Sequence, residues 1–285
     1  MRGFSLLTAE PIWVPAQLAY FKRCQDDAPL GELTTTGLAA GVSIEDAIRR
    51  GLCEVIERDA VMLTWLLRVR APALSLSEPA LAPASALAAL LGGAGRELRV
   101  FDVTTDLRLP AFLAIIRTDG TPAIAAGAAC SPPPAQAVEK AILEAAHARF
   151  QGRRVVRRGR RRLAGSDFRE VTSFSSRSEL YAQPEMGRAV DHLWAVEPSV
   201  MLRPPGSIRH ALTRLQEIGV EPVGVDVTCA EVARLGLRVA RVIAPGLQPM
   251  EARFDARRYA AKRFPALVGV PGWWAELNSL PHPIP

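Results

Sequence analysis

The sequence has few cysteines and no closely spaced cysteine pair. Its four cysteines, Cys24, Cys53, Cys130 and Cys229, stand far apart along the chain. Structural zinc sites use closely spaced pairs, and disulfide-stapled domains are small and rich in cysteine. The sequence therefore argues against both kinds of site. It fits a reducing compartment, so we expect a cytoplasmic protein.

Long apolar runs are also missing. No window approaches about 18 uninterrupted apolar residues, the minimum for a membrane-spanning helix. The first residues, MRGFSLLTAEPIWVP, contain no continuous apolar stretch of the kind found in signal peptides. We therefore expect no membrane span, no signal peptide and no membrane partner.

The chain does have enough apolar material for one or two domains. It has 285 residues, of which 49% are hydrophobic, so the composition indicates a globular protein rather than a disordered one. The formal net charge is +6. This excess permits an anionic partner such as a nucleotide or a nucleic acid, but it does not establish one.

The most informative stretch is GLAAGVSIEDAIRRGLCEVIERD, residues 37–59. A glycine-framed loop is followed by Ser43, a natural N-cap, and Asp46 three residues later resembles a capping box. Apolar residues then recur at helical spacing. The pattern predicts a helix over residues 44–67.

A charged group lies on another face of this helix. Glu54, Glu57 and Arg58 stand at i,i+3 and i,i+4 spacing, so all three side chains can converge. Two carboxylates this close repel each other unless a cation or a proton compensates. Arg58 or a bound metal can supply that charge. A solvated helix face with one Glu–Arg pair is the alternative.

The middle of the chain predicts an antiparallel meander followed by a helix. Residues 98–103, 111–116 and 123–127 have strand patterns, and Asp119-Gly120 is a two-residue hairpin signal. The helix is predicted over residues 134–150. It carries a polar ridge that sequence alone assigns to an exposed face, formed by Gln136, Lys140, Glu144 and His147.

The remaining segments give weaker signals. Residues 12–15 and 18–21 are interpreted as strands or covering loops. Residues 71–97 and 165–206 are interpreted as loop or insertion regions, the first with a short helix near 84–91. Farther along, the pattern predicts a helix at 208–218, capped by Ser207, and strands at 222–228 and 237–243. The last three elements form a βαβ-like or an antiparallel unit.

Residues 149–162 carry eight arginines in the run RFQGRRVVRRGRRR. Such a run is compatible with binding to nucleic acid or to a phosphate-rich surface. However, Phe150 is its only aromatic residue, and the chain has no nucleic-acid-binding signature. We therefore expect no nucleic-acid partner. A solvated helix end is the simpler interpretation, and binding of an acidic peptide segment is the alternative.

The last residues, NSLPHPIP at 278–285, are rich in proline. Taken alone, this composition predicts an extended, disordered end.

Four motifs together resemble the YcaO family, whose members are ATP-dependent enzymes that activate backbone amides of peptides. They are G-L-A-A-G followed by E-x-x-E-R-D-A, the run AVEKAILEAAHAR, the succession from D-V-T to P-G-L-Q-P, and the terminal P-x-P-x-P. The last motif is similar to the end of the azoline-forming cyclodehydratase branch. The resemblance implies an α+β fold with antiparallel or mixed sheets packed against helices, as a single domain over residues 1–285.

The resemblance also implies the site residues. Glu54, Glu57 and Glu144 would bind Mg2+ and ATP. Arg58 would contact the nucleotide phosphates, and Lys140 is a weaker candidate for the nucleotide.

The tail has implied roles as well. The α-carboxylate of Pro285 would act in proton transfer, and the prolines would stiffen the tail that carries it. His282 would position this tail or serve as a base itself.

The implied reaction is ATP-dependent cyclodehydration of Cys, Ser or Thr in a ribosomally made precursor peptide, which gives thiazoline or oxazoline rings. The side-chain nucleophile would attack the preceding amide carbonyl, and the oxygen would leave as phosphate. Implied partners are the precursor peptide, a leader-binding protein resembling ubiquitin-activating enzymes, a flavin-dependent dehydrogenase and a second copy in a homodimer.

One departure from the family pattern opens alternatives. Family members carry an additional N-terminal S-G-K-G-like stretch and a helix with an E-x-x-E pair at the same ATP site, and neither occurs here. The start is then truncated, or the missing part is a separate chain, or ATP binding is lost. The last case predicts a non-catalytic scaffold that binds a peptide or a partner protein. Peptide thioamidation is a further alternative, against which the P-x-P-x-P end argues.

Overall fold

The computed structural model describes residues 1–20, 30, 34–93, 95–159, 168–251, 253–264 and 273–284. The strands and α-helices, in chain order, are β1 (Arg2–Ser5), β2 (Pro11–Trp13), α1 (Ala16–Ala19), β3 (Leu38–Gly41), α2 (Ile44–Leu66), α3 (Ala82–Leu91), β4 (Arg96–Asp102), β5 (Ala111–Thr118), β6 (Ile124–Cys130), α4 (Pro134–Arg157), α5 (Phe174–Tyr181), α6 (Asp191–Trp194), α7 (Ile208–Glu217), β7 (Val223–Asp226), α8 (Ala230–Arg234) and β8 (Arg238–Ile243). Short 3-10 segments lie at Pro79–Leu81, Pro184–Val190, Phe254–Ala256, Ala261–Arg263 and Trp273–Glu276.

The strands form two antiparallel sheets. The larger one has the order β2-β1-β7-β8-β3, so strands from the two ends of the chain lie side by side. The smaller one has the order β4-β5-β6 and is the predicted meander. The predicted α+β fold with antiparallel sheets and packed helices is confirmed.

Two long helices link the sheets. Helix α2 packs on β3 and β8 of the larger sheet and also contacts β5 and β6, while α4 covers β5 and β6. As predicted, Ser43 caps α2, and its side-chain oxygen accepts a hydrogen bond from the backbone N–H of Asp46 at 3.2 Å. Most of α2 from Gly51 onward is buried, which makes it the central helix of the core.

Two glycines let these helices approach the backbone of other elements. A Cβ at Gly127 in β6 would lie 2.2 Å from the backbone nitrogen of Ala145 in α4. A Cβ at Gly51 in α2 would lie 2.6 Å from the carbonyl oxygen of Gly37, which itself has φ +81°. Because a side chain would clash at both positions, glycine is required for this close packing.

The structure corrects two local predictions around the meander. The Asp119-Gly120 hairpin is longer than two residues, because β5 ends at Thr118 and β6 begins at Ile124. Pro122 lies within this loop and has no backbone N–H to donate. Its carbonyl oxygen accepts a hydrogen bond from the side-chain hydroxyl of Thr118 at 2.6 Å. Helix α4 extends to Arg157 rather than ending at residue 150, because arginine is a good helix former and cations favour the C-terminal end.

Two other predictions are resolved or corrected nearer the chain ends. Residues 16–19 form the short helix α1 rather than a strand, and Phe21 lies outside the described residues. Sequence analysis left open whether the last elements form a βαβ-like or an antiparallel unit. They form an antiparallel unit, because β7 and β8 pair antiparallel. In the described part of the chain, no helix has both the length and the apolar character needed to cross a membrane.

Replacing Gly127 with alanine tests the close packing of α4 on β6. We expect Gly127→Ala to lower the free energy of unfolding by about 1–3 kcal/mol, the usual cost of overpacking a core. Gly120→Ala is the matched control, because nothing lies within 4 Å of a Cβ there. Urea unfolding of both variants checks the difference, and equal stabilities would contradict this packing.

Candidate active site

The polar faces of α2 and α4 border a cleft of about 340 Å3. We call it the α2–α4 cleft. It brings together three predicted site residues, Glu54, Glu57 and Lys140. The end of β6 completes the wall with Cys130 and Ser131. Gln136 and Lys140 of the predicted polar ridge are exposed, as expected, and also line this cleft.

Glu57 is the most buried of the predicted ligands, with 4% of its surface exposed. Its pKa is raised to about 8, mainly by burial and to a smaller extent by the nearby carboxyls Glu144 and Glu54. The positive charge of Arg58 opposes this shift, yet its Nε lies 3.7 Å from Glu57 Oε1, beyond hydrogen-bond distance. The charge of an ionised Glu57 is therefore poorly compensated in the protein alone.

Glu54 connects α2 to the glycine-framed loop. Its Oε2 accepts a hydrogen bond from the backbone N–H of Gly37 at 3.1 Å, and its Oε1 lies 3.6 Å from Arg58 Nη2. Burial raises the pKa of Glu54 against the opposing effect of Arg58. The predicted convergence of Glu54, Glu57 and Arg58 is present in the structure.

Arg58 lies between the two carboxylates and the C-terminal half of the chain. Its Nη1 donates to the sulfur of Met250 at 2.7 Å, just after the P-G-L-Q-P turn. Its buried Nε has no hydrogen-bond partner in the described part of the protein. A buried guanidinium N–H without an acceptor is costly, so this nitrogen is suited to an incoming anion.

A second cavity, of about 190 Å3, joins Arg58 to Glu144 and to the C-terminal tail. We call it the tail cavity. His147 and Gln151 of α4 and Ile284 of the tail also line it. Glu144 is paired with Lys140 at 3.7 Å on the rim of the site. Arg58 thus faces the tail cavity as well as the carboxylates of α2.

The proline-rich tail is buried rather than disordered, so the prediction from composition alone is wrong. The backbone N–H of Asn278 donates to the carbonyl of Leu66 at 2.8 Å. The indole N–H of Trp65 donates to the carbonyl of Leu280 at 3.0 Å, and the Tyr181 hydroxyl donates to the carbonyl of Pro281. These contacts hold the tail against α2 and α5.

Two arginines hold further carbonyls of the tail. Arg257 donates to the carbonyls of Asn278 at 3.1 Å and Leu280 at 3.2 Å. Arg177, only 2% exposed, donates to the carbonyl of Ile284 at 3.4 Å. The end of the described tail is therefore fixed beside the tail cavity.

His282 is buried within the same contacts. Its Nε2 lies 3.1 Å from the carbonyl oxygen of Glu251, and its Nδ1 has no partner among the residues that the structure describes. Burial, aided by the charge of Arg177, lowers the pKa of His282 well below its usual range. An immobilised imidazole with so low a pKa is a weak base, so it fits the predicted positioning role better than that of a base. Pro285 lies outside the described residues.

Sequence reasoning missed two buried charges near the site. Asp59, directly after Arg58, forms a two-pronged ion pair with Arg263, with distances of 3.0 and 2.8 Å. Arg241 in β8 is buried and interacts electrostatically with Glu54. The sequence contains a signal for Arg241, because this arginine interrupts the apolar pattern of a predicted strand. It contains no local signal that connects Asp59 with Arg263.

The residues present fit Mg2+ and a nucleotide phosphate, although no group of three or more metal-binding side chains is assembled within the described ranges. Carboxylate oxygens are the ligands that Mg2+ prefers. The raised pKa of Glu57 and the unpartnered Nε of Arg58 indicate a site that lacks one positive and one negative partner. The two carboxylates of α2, Glu54 and Glu57, would hold the cation and Arg58 would bind a phosphate, whereas Glu144 lines the separate tail cavity.

The burial of Glu57 predicts a pH effect on the metal-free protein. Between the unfolded pKa near 4.5 and the folded pKa of about 8, the folded state binds one more proton than the unfolded state. Stability should therefore fall by up to about 1.4 kcal/mol per pH unit as the pH rises through this window. Glu57→Gln should remove this part of the decline.

Urea unfolding at pH 5 and pH 8 checks this effect. Glu231→Gln is the control, because its own backbone N–H lowers the pKa of Glu231 and it titrates below this window. Identical pH dependences in the wild type and Glu57→Gln would contradict the assigned environment of Glu57.

Comparison with solved structures places this fold among heterocyclases. A heterocyclase in complex with substrate and cofactor superposes with a TM-score of 0.73 at 23% identity, over 99% of this chain and 38% of that one. The YcaO protein from Methanopyrus kandleri bound with AMPPCP and Mg2+ superposes with a TM-score of 0.62 at 24% identity, over 87% of this chain and 64% of that one. At identities below 25%, these superpositions show a shared fold and nothing about a shared activity or substrate.

Sequence comparison gives a curated relative and a family. A Rhizobium leguminosarum bv. trifolii protein, described as an uncharacterized protein in the tfuA 3' region, is 31% identical over 273 residues. The match covers 86% of this chain but 60% of that protein, so the chain spans little more than half the length of this relative. The family profile described as "YcaO cyclodehydratase, ATP- and Mg2+-binding" matches residues 1–248. This description names both predicted cofactors, and the chain belongs to the YcaO cyclodehydratase family.

Proposed function

We propose that this protein takes part in ATP-dependent cyclodehydration of Cys, Ser or Thr residues in a ribosomally made precursor peptide, which forms thiazoline or oxazoline rings. One observation carries the proposal. A buried carboxylate with a raised pKa, Glu57, lies next to an arginine with an unpartnered Nε, Arg58, within the motif shared with the family. This pairing fits a magnesium–phosphate group rather than a structural ion pair.

The proposed roles follow from the charges. Glu54, Glu57 and Glu144 hold Mg2+, while Arg58, assisted by Lys140, binds phosphate oxygens. When bound, magnesium ATP supplies the phosphoryl group that turns the amide oxygen into a leaving group, and the metal neutralises the developing charge.

The protein's own residues prepare this site electrostatically. Without a cation, burial keeps Glu57 protonated near neutral pH. An incoming cation favours its ionised form, so cation binding and proton release are coupled. The N–H of Gly37 holds Glu54, and therefore one carboxylate is fixed in place before any ligand arrives.

The tail is proposed to supply the proton-transfer group. Ile284 lines the tail cavity together with Glu144 and Arg58, which supports the proposed role of the tail. The α-carboxylate of Pro285 would accept the proton of the attacking side chain. His282 and Arg177 would hold the tail in position.

The partners belong to the same proposal. We propose the precursor peptide as substrate, with a leader-binding protein, a flavin-dependent dehydrogenase and a second copy of this chain as assembly partners. We also propose that the protein acts in the cytoplasm. If another chain supplies further nucleotide ligands, this protein provides one wall of the ATP site.

Binding of magnesium ATP is the first test. Isothermal titration of the isolated chain should show binding, and Glu57→Gln should weaken it at least about a hundredfold, because even indirect metal partners are worth 10–100-fold. Glu45→Gln, at an exposed carboxyl on the first turn of the same helix, is the control and should bind as the wild type does. Absence of binding by the wild type would contradict a self-sufficient ATP site and favour the scaffold or split-enzyme alternative.

Removing Pro285 alone tests the tail. The contacts of Asn278, Leu280 and Pro281 with the core do not involve this residue, so the deletion should leave magnesium ATP binding intact. It should abolish ring formation, measured as loss of one water from a peptide that the wild type modifies. Ser279→Ala, at an exposed tail position, serves as the control. Ring formation by the deletion variant would refute the role of Pro285.

A further inference from the structure

The polar stripe that carries the predicted ligands of α4 continues beyond the candidate site. After Lys140 and Glu144 come His147 and Gln151, and then Arg154 and Arg158, in alternating steps of three and four residues. Side chains at this spacing share one face of a helix. Since His147 and Gln151 line the tail cavity, the two arginines extend the same face away from it.

A second row of arginines lies about 100° around the helix from Arg154 and Arg158, because consecutive residues of a helix do not share a face. Arg149, Arg153 and Arg157 follow one another at four-residue steps along α4. Burial lowers the pKa of Arg149, and the like charges of Arg96 and Arg153 lower it further. The positive charges of Arg96, Arg149 and Arg153 therefore repel one another.

The described residues provide no acidic partner for the exposed arginines. Arg153, Arg154, Arg157 and Arg158 form no ion pair within the described ranges, and Arg154 lies 5.9 Å from the centre of the Phe150 ring. Cations in the last turn are favoured by the helix dipole. That effect does not account for Arg149 and Arg153, which precede the last turn.

The helix sets the distance between these arginines and the site. Arg154 and Arg158 follow Glu144 by ten and fourteen residues, which at 1.5 Å per residue is about 15 and 21 Å. An extended peptide covers about 3.3 Å per residue. A peptide lying along α4 would therefore span about four to six residues between Glu144 and the arginines.

We propose that Arg154 and Arg158, together with the adjoining Arg153 and Arg157, form a docking surface for an acidic segment of the peptide substrate. The acidic residues would lie about four to six positions from the residue held at the candidate site. The inference rests on the proposed function for the identity of the peptide. Phe150 is the only aromatic residue in the described part of this run, so a nucleic acid would lack stacking partners.

Fluorescence anisotropy with a labelled hexaglutamate peptide tests the surface on the whole chain without ATP. The double variant Arg154→Ala/Arg158→Ala should bind about tenfold or more weakly, because each arginine offers charge-assisted hydrogen bonds. The control Arg209→Ala/Arg234→Ala removes the same charge from exposed positions on α7 and α8 and should bind as the wild type does. Circular dichroism confirms that both variants are folded.

Two results would overturn the docking surface. An equal loss in the control variant would mean that only net charge matters, and tighter binding of a hexathymidine oligonucleotide would indicate a nucleic-acid surface. The titration with magnesium ATP is separate. If it fails while hexaglutamate binds as expected, the self-sufficient ATP site is contradicted and the docking surface stands. If magnesium ATP binds and hexaglutamate does not, only the docking surface is contradicted.

Discussion

The rest of the structure depends on one constraint, which is that helix α2 is buried although it carries charged side chains. Helix α2 lies in the core, yet its C-terminal half contains Glu57, Arg58 and Asp59. A buried charge is tolerated only with a partner. Asp59 has one, because Arg263 binds both of its oxygens, and this pair joins α2 to the end of the chain. Among the described residues, Glu57 has no cation within hydrogen-bond distance, because Arg58 Nε lies 3.7 Å away. The two carboxylates thus differ in environment, since Asp59 forms a structural ion pair, whereas we propose that Glu57 receives a ligand.

The tail shows how a proline-rich segment can be part of a core. A buried backbone must pair its polar groups, and proline has no N–H that needs an acceptor. Because the tail has three prolines at alternating positions, its backbone contains few N–H groups, and mainly its carbonyl oxygens need hydrogen-bond partners. Trp65, Tyr181, Arg177 and Arg257 supply the donors. All four come from elements distant in sequence from the tail, and composition alone could not indicate them.

Local signals predicted the parts of the fold that are determined locally. The Ser43 cap, the periodicity of α2 and the meander strands depend on near neighbours, and all are present. The convergence of Glu54 and Glu57 was predictable for the same reason. The Asp59–Arg263 pair spans 204 residues, so no window of sequence contains it. The β5–β6 loop also contains Pro122, which lies beyond the two residues of the Asp119-Gly120 signal.

The end of α4 shows how the position of a helix boundary changes the interpretation of the residues around it. With the helix ending at residue 150, the arginines that follow belong to a loop and have no defined arrangement. With the helix extending to Arg157, the same residues form rows on a surface that begins at the candidate site. Helix geometry, rather than composition, then relates Glu144 to Arg158 by a fixed distance and direction. Glu144, Arg154 and Arg158, which sequence analysis treated as separate features, therefore lie on one face of the helix, whereas Arg149, Arg153 and Arg157 lie on another.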